Sequence, residues 1–213
     1  MDITILVTLV AWLGMEYRSI NNKIKDVVAR ANTSLPKIIV TSDFYAENLR
    51  ILSKFHYDLC EIGKRLNRRY YAPVIVNVTT AFVILSTNLF FLLDELRHGD
   101  YMSMMVFVSY IQLEISYSLP IIITVIICNW TSNQAAHTAE LIHEIRAMNT
   151  DSQLYDVIKS FSLQLHHQKL EFTACGLFPL DSSLLQMMVG KITTYLVILI
   201  QFQSNLGWSF ESS

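Results

Sequence analysis

Apolar residues along the chain gather into four blocks, separated by stretches in which polar and charged positions alternate with apolar ones at helical spacing. Residues 3–15 are apolar but number thirteen, short of the roughly 20 that a bilayer core demands. The block lacks a basic start and a small-residue cleavage site, which argues against a signal peptide. It is expected to be the tail of a truncated first span (residues 1–15), which makes the chain a fragment of something longer. Residues 72–93 form a second block, rich in Val, Ile, Leu and Phe but carrying Asn77, Thr79, Thr80, Ser86 and Asn88. Residues 102–128 form a third, with Pro120 predicting a kink. The last block, 183–202, holds twenty residues. At 1.5 Å per residue that length matches a hydrocarbon core of roughly 30 Å. Asp181 is placed to cap its start, so the span covers 181–203 and leaves a short tail, 204–213.

Between the blocks the pattern is amphipathic. In residues 16–71 the apolar positions Leu49, Leu52, Phe55, Leu59, Ile62 and Leu66 recur at helical spacing, and Ser34-Leu35-Pro36 breaks the stretch into two helices. Residues 94–101 are a short acidic link. Residues 129–180 show one stripe at Leu141, Ile145 and Met148 and another at Leu154, Ile158, Phe161 and Leu165. Thr150 and Gln153 resemble a capping box between them. Residues 172–180, with Gly176 and Pro179, make an elbow into the last span. The expected fold class is therefore all-α: a polytopic membrane helical bundle with three complete spans, a partial first one and helical extensions outside the bilayer.

Composition agrees. The chain is 52% hydrophobic and 16% charged with a positive mean hydropathy, whereas soluble domains carry about one quarter charged residues. A net charge of −2 gives no sign of a nucleic-acid partner. Cys60, Cys128 and Cys175 are distant and odd in number, so neither a disulfide framework nor a zinc pattern is indicated.

The distribution of charge matters more than its sum. Residues 16–71 and 129–180 hold fourteen of the sixteen Lys and Arg, while Arg97 alone lies on the opposite side and Lys191 lies within a span. Lys64, Arg65, Arg68 and Arg69 stand directly at a span end, where the positive-inside rule is strongest. That rule puts 16–71 and 129–180 in the cytosol, and the link and C-terminus outside the cell. The Lys64–Arg69 cluster also suits lipid headgroups, beside its plainer reading as the solvated face of an amphipathic hairpin.

The last span carries a more specific signal. Thr194-Tyr195, five aliphatic residues, then Gln201-Phe202 resembles the signature of insect gustatory receptors. The approach to it, with Phe161 to Gln168, Glu171 to Asp181 and Met188-Val189-Gly190, resembles the same family. The resemblance is close over about the last fifty residues and rests on span pattern elsewhere. It implies an inverted seven-span chemoreceptor in the cell membrane, with an extracellular C-terminus. It further implies a ligand-gated cation channel of four subunits, identical or related, that detects small-molecule tastants and mediates acceptance or avoidance. Gln201 and Phe202 would form the pore constriction, with Ile198 one turn inward. Cytosolic helices would anchor the tetramer. An odorant-receptor-like subunit, and a non-channel membrane scaffold or transporter fragment, remain alternatives.

The residues bear on this independently. Thr193, Thr194, Tyr195 and Gln201 within lipid must turn toward protein or water. A ring of bulky apolar groups can dewet a pore, and a ring of amides can replace part of an ion's hydration. Gln201 could instead bond a neighbouring helix at the interface, and Thr194 and Tyr195 could be packing and hydroxyl contacts between helices. Glu114, in mid-span and flanked by Tyr110, Gln112, Tyr117 and Ser118, is a functional candidate by position, and Lys191 is its expected ion-pair partner. Lys191 also departs from the family, which usually has a small neutral residue there; an unpaired lysine facing the pore would repel cations. His137, His143, His166 and His167 do not converge at metal-ligand spacing, so no metal or cofactor is expected. No nucleophile elbow, phosphate-binding loop or HExxH occurs, and no enzymatic chemistry is expected.

Overall fold

The computed structural model describes residues 3–33, 38–98, 104–148 and 152–211. Within them the chain forms helices α1 (Ile3–Thr33), α2 (Ile38–His98), α3 (Met104–Met148), α4 (Ser152–His167) and α5 (Ser182–Glu211), with strands β1 (Thr173–Ala174) and β2 (Phe178–Pro179) between the last two helices. The all-α bundle expected from the sequence is present. Four helices contain a stretch long and apolar enough to cross a membrane, including Ile3–Val27. Helix α1 continues past the first apolar block without a break through Gly14 and Glu16. Helix α2 likewise runs through Pro73 to His98, so most of the expected link is helical. Helix α3 runs through Pro120, and α5 runs on to Glu211, past the start of the expected tail. The Ser34–Pro36 break and the Thr150 side of the capping box lie outside the described residues.

The chain divides into two compact units. One comprises residues 2–70 and 127–173, and the other 71–126 and 174–213 with Met1. In the first unit, α1 buries Leu6, Val10, Leu13, Tyr17, Ile20 and Ile24, alternating steps of four and three that keep one stripe on one side of the helix. Helix α3 answers with Cys128, Thr131, Ala135, Thr138, Ile142 and Ile145, and α4 with Leu154, Ile158, Phe161 and Leu165. Close approach is enforced at glycine. A Cβ on Gly14 would strike the Trp130 ring and lie 2.6 Å from Thr131 Oγ1, and one on Gly63 would lie 2.5 Å from Leu170 Cδ1. The α2 stripe differs from expectation. Leu49, Leu52 and Leu59 are buried, but Phe55 and Ile62 are exposed, and His56 and Cys60 take the inward positions. Polar groups can sit there because each finds neighbours of matching chemistry.

In the second unit, the later part of α2 buries Val74, Ala81, Leu85 and Leu92, and α3 buries Ile121 and Val125. Many outward positions are apolar: Val76, Val83 and Phe91 on α2, and Val108, Ile115 and Ile126 on α3, are all more than half exposed, beside a minority of threonine, serine and glutamine. Such surface fits hydrocarbon rather than water.

Candidate functional site

Helix α5 begins from a two-residue hairpin. Cys175 and Gly176 both take positive φ, 55° and 71°, and the Leu177 amide donates to the Ala174 carbonyl at 3.0 Å. Positive φ at both central positions is the signature of a type I′ turn, whose twist suits a tight hairpin. Two residues after β2, Asp181 caps the helix. Its Oδ1 accepts from the Ser183 amide at 2.9 Å and from the Ser183 hydroxyl, and its carbonyl accepts from the Leu184 amide at 3.2 Å. The Ser183 hydroxyl first, with amide donors behind it, holds the Asp181 carboxyl below the ordinary carboxylate range. The sequence anticipated this cap.

Leu184, Met188 and Leu196 form a buried row at multiples of four along α5. Elsewhere along Ser182–Phe202 the helix is largely open, and only 11% of its apolar stretch is buried. Lys191, Thr193, Thr194, Gln201 and Phe202 are all exposed, as are Tyr195 at 45% and Ile198 at 55%. The Thr194 hydroxyl donates to the Gly190 carbonyl at 2.8 Å, and Thr193 to the Val189 carbonyl at 2.9 Å. Each of these hydroxyls donates its proton to the backbone of its own helix.

The Glu114 group has its own geometry. Tyr110, Glu114 and Tyr117 are half-buried along one stripe of α3. Asn88 on α2, 7% exposed, donates through Nδ2 to Glu114 Oε1 at 3.0 Å and to the Tyr110 carbonyl at 3.1 Å. The expected Glu114–Lys191 pair is not what forms: the carboxyl is taken by the Asn88 amide, while Lys191 lies exposed on α5. Asn88 was visible in the sequence as a polar residue in a span, but its register against Glu114 needed the packing of α2 on α3. Buried polar groups in apolar surroundings must find partners, and here one amide serves two acceptors.

The histidines flagged in the sequence lie apart. His137 Nδ1 and Glu140 Oε2 meet at 2.8 Å on an exposed face, His166 and His167 contact each other edge-on, and no metal-holding group of three occurs among the described residues. Sequence reading passed over His56, which is 1% exposed and caged by Tyr17 and Phe161 at ring separations of 5.1 and 6.0 Å.

Long apolar helices with outward-facing hydrocarbon surface and inward polar clusters define a multi-pass helical membrane protein. The family model for the 7tm chemosensory receptor matches residues 3–206, and the chain belongs to that family, among insect gustatory receptors. It is 33% identical over 162 residues to "Gustatory receptor for bitter taste 66a" of Drosophila melanogaster, an alignment covering 73% of this chain and 30% of that protein. It is 27% identical over 199 residues to "Putative gustatory receptor 28b" of the same fly, covering 91% of this chain and 42% of that protein. Against "Gustatory receptor for sugar taste 43a" the identity is 26% over 163 residues, covering 75% and 37%. The chain spans less than half the length of these curated relatives. The family is one of receptors, not of enzymes.

Proposed function

We propose that this chain supplies the C-terminal part of a gustatory receptor subunit, a ligand-gated cation channel of the cell membrane in which α5 lines the pore. The observation that carries the reading is the open face of α5. Its apolar stretch is long enough to span, yet only 11% is buried and the exposed remainder mixes threonine, tyrosine, glutamine and phenylalanine. Lipid alone would favour an apolar face, and a helix left this open has room for copies of itself. Four such helices around an axis would bring four Gln201 amides and four Phe202 rings together, able to coordinate a partly hydrated cation and to exclude water when closed. The C-terminus is then extracellular and residues 16–71 and 129–180 cytosolic, in accord with the charge asymmetry. Lys191 is exposed and without an ion pair among the described residues; in the assembled channel it must turn from the axis. Similarity to receptors named for bitter and for sugar taste supports a small-molecule tastant without choosing its class. A ligand opens such a channel only by binding the open form more tightly.

Cysteine scanning in the full-length receptor tests this. Gln201→Cys and Phe202→Cys should react with a membrane-impermeant thiol reagent applied outside, and reaction should block tastant-evoked current. Labelling by a lipid-phase reagent alone, with current unaffected, would remove α5 from the pore.

A further inference from the structure

A ladder of cations on α2 has no part in the reading above. Arg65, Arg68 and Arg69 are exposed. Among the described residues none of the three guanidinium groups has an ion-pair or hydrogen-bond partner. Lys64 differs, since its Nζ lies 3.4 Å from Glu61 Oε1. The other acid nearby on α2, Asp58, stands about two turns further from the apolar block. Lys169 and Glu171, on either side of the Leu170 that packs at Gly63, offset each other. Three unpaired arginines within five residues of helix therefore leave a local positive surplus.

Helical phase and level both fit this surplus to a bilayer surface. Helix α2 is continuous from Ile38 to His98. At about 100° per residue, Arg65, Arg69, Val76 and Val83 fall within about 40° of one another, with Arg68 at the edge of the same side. Val76 and Val83 are exposed, while Tyr70 and Val74 are buried. One side of the helix thus changes along its length from arginine to aliphatic. As for level, a Cβ on Gly63 would lie 3.1 Å from Leu13 Cδ2, and one on Gly14 would strike the Trp130 ring. Trp12, next to Leu13, and Trp130 therefore stand near the height of Gly63, the first exposed and the second half-buried. Tyr71, two residues past Arg69, is exposed as well. Tryptophan and tyrosine collect where hydrocarbon gives way to headgroups. From Arg65 to Arg69 the helix rises about 6 Å, which matches the roughly 5–8 Å of headgroup layer on each side of the hydrocarbon core.

The chemistry of the partner follows. A guanidinium group presents a planar fork that matches two phosphate oxygens at once, and its apolar stem can lie along hydrocarbon. A phosphatidylcholine phosphate is already neutralised by its own choline. Three arginines without counter-charges therefore favour a lipid with a net negative headgroup, to which juxtamembrane basic clusters are drawn.

We propose that Arg65, Arg68 and Arg69 form a docking surface for the headgroup of an anionic phospholipid. The proposal rests on α2 crossing the membrane and not on α5 lining a pore.

The test offers the chain, in micelles of an uncharged detergent, equal concentrations of dioleoylphosphatidylserine and dioleoylphosphatidylcholine, and counts bound lipid by native mass spectrometry. The serine lipid should bind in preference. In Arg65→Gln/Arg68→Gln/Arg69→Gln its affinity should fall roughly tenfold or more, since each basic residue at a charged membrane surface contributes roughly fivefold. Binding of the choline lipid and the melting midpoint should not change. Lys23→Gln/Lys25→Gln/Arg50→Gln removes three exposed charges of the same unit, about 15–20 Å along their helices from the Leu13–Gly63 level, and should keep the preference. Should the first variant fail to fold, Arg68→Gln/Arg69→Gln takes its place, with a loss of roughly fivefold or more expected. Equal binding of the two lipids by the wild-type chain overturns the proposal, as does an undiminished preference in the folded arginine variant. An equal loss in the distant variant would reduce the effect to overall charge and overturn it too. Displacement of the lipid by an equimolar amount of soluble glycerophosphoserine would make the ladder a site for free phosphate esters, and would overturn the lipid assignment.

Discussion

Two units of one chain solve the burial of polar groups differently. Of the twelve largest fully buried side chains, all but Val125 lie in the unit formed by residues 2–70 and 127–173. There Asn21 is 2% exposed, gives Nδ2 to the Gln134 carbonyl at 2.9 Å and takes the Thr138 hydroxyl at 2.7 Å, while Thr131 bonds the Val10 carbonyl at 3.0 Å. The other unit is thinly packed. There Asn88 ties Glu114 and Tyr110, while most of Ser182–Phe202 and the early part of α3 stay uncovered. The lesson is that burial within a chain marks where the protein must supply its own interior. Where a membrane or further subunits complete the structure, the same apolar composition stays on the outside.

Glycine substitutions break this contrast most sharply. Gly14→Leu would drive a side chain into Trp130 and Thr131, and thermal unfolding in detergent should show a loss of about 3 kcal/mol or more, as overpacking does. Gly190→Leu meets nothing within 4 Å and should leave the midpoint of the chain unchanged, while abolishing current in the whole receptor if α5 packs on other subunits. A destabilised Gly190→Leu chain would show that α5 is already enclosed.

Asparagine substitutions sharpen the comparison at smaller scale. Asn21→Leu strands the Thr138 hydroxyl and should cost about 1–3 kcal/mol. Asn88→Ala should cost less, about 0.6 kcal/mol, the average found for hydrogen bonds between membrane helices. Equal losses would mean that the two clusters share one kind of environment. The same unfolding assay measures both.

Least disruptive is Asp181→Ala, which removes the cap of α5 and should cost about 1 kcal/mol. Because the folded carboxyl lies below its ordinary range, the contribution of the cap is complete above that range and fades as pH falls through the lowered native value. The difference between wild type and variant should therefore shrink on acidification; a difference that persists unchanged would assign the cap to the backbone rather than the charge.

Much of the fold was legible because period and length are written in the chain. The stripes Leu141–Ile145 and Leu154–Ile158–Phe161–Leu165 are buried as read, and Asp181 caps where its position predicted. Helix α1 runs on past the first apolar block, and the close approach of Gly14 to Trp130 that this allows is a pairing the local sequence does not show. Phe55 and Ile62 were assigned inward because they are apolar; the structure prefers His56 and Cys60, whose partners Tyr17 and Gln168 lie far away in sequence. Pairwise polar geometry has no local signature, which is why the sequence offers Lys191 for Glu114 and does not point to Asn88. The hairpin at Cys175 was read only as an elbow, although Cys-Gly ahead of an apolar pair carries the turn.

That hairpin sets the phase of everything after it. Successive residues of a helix point about 100° apart, so one residue inserted between Pro179 and Asp181 would swing Leu184, Met188 and Leu196 off their inward line. In their place would come side chains that now look away, and Gln201 would be carried round with them. A two-residue bend in left-handed backbone thus acts as the indexing tooth of the terminal helix.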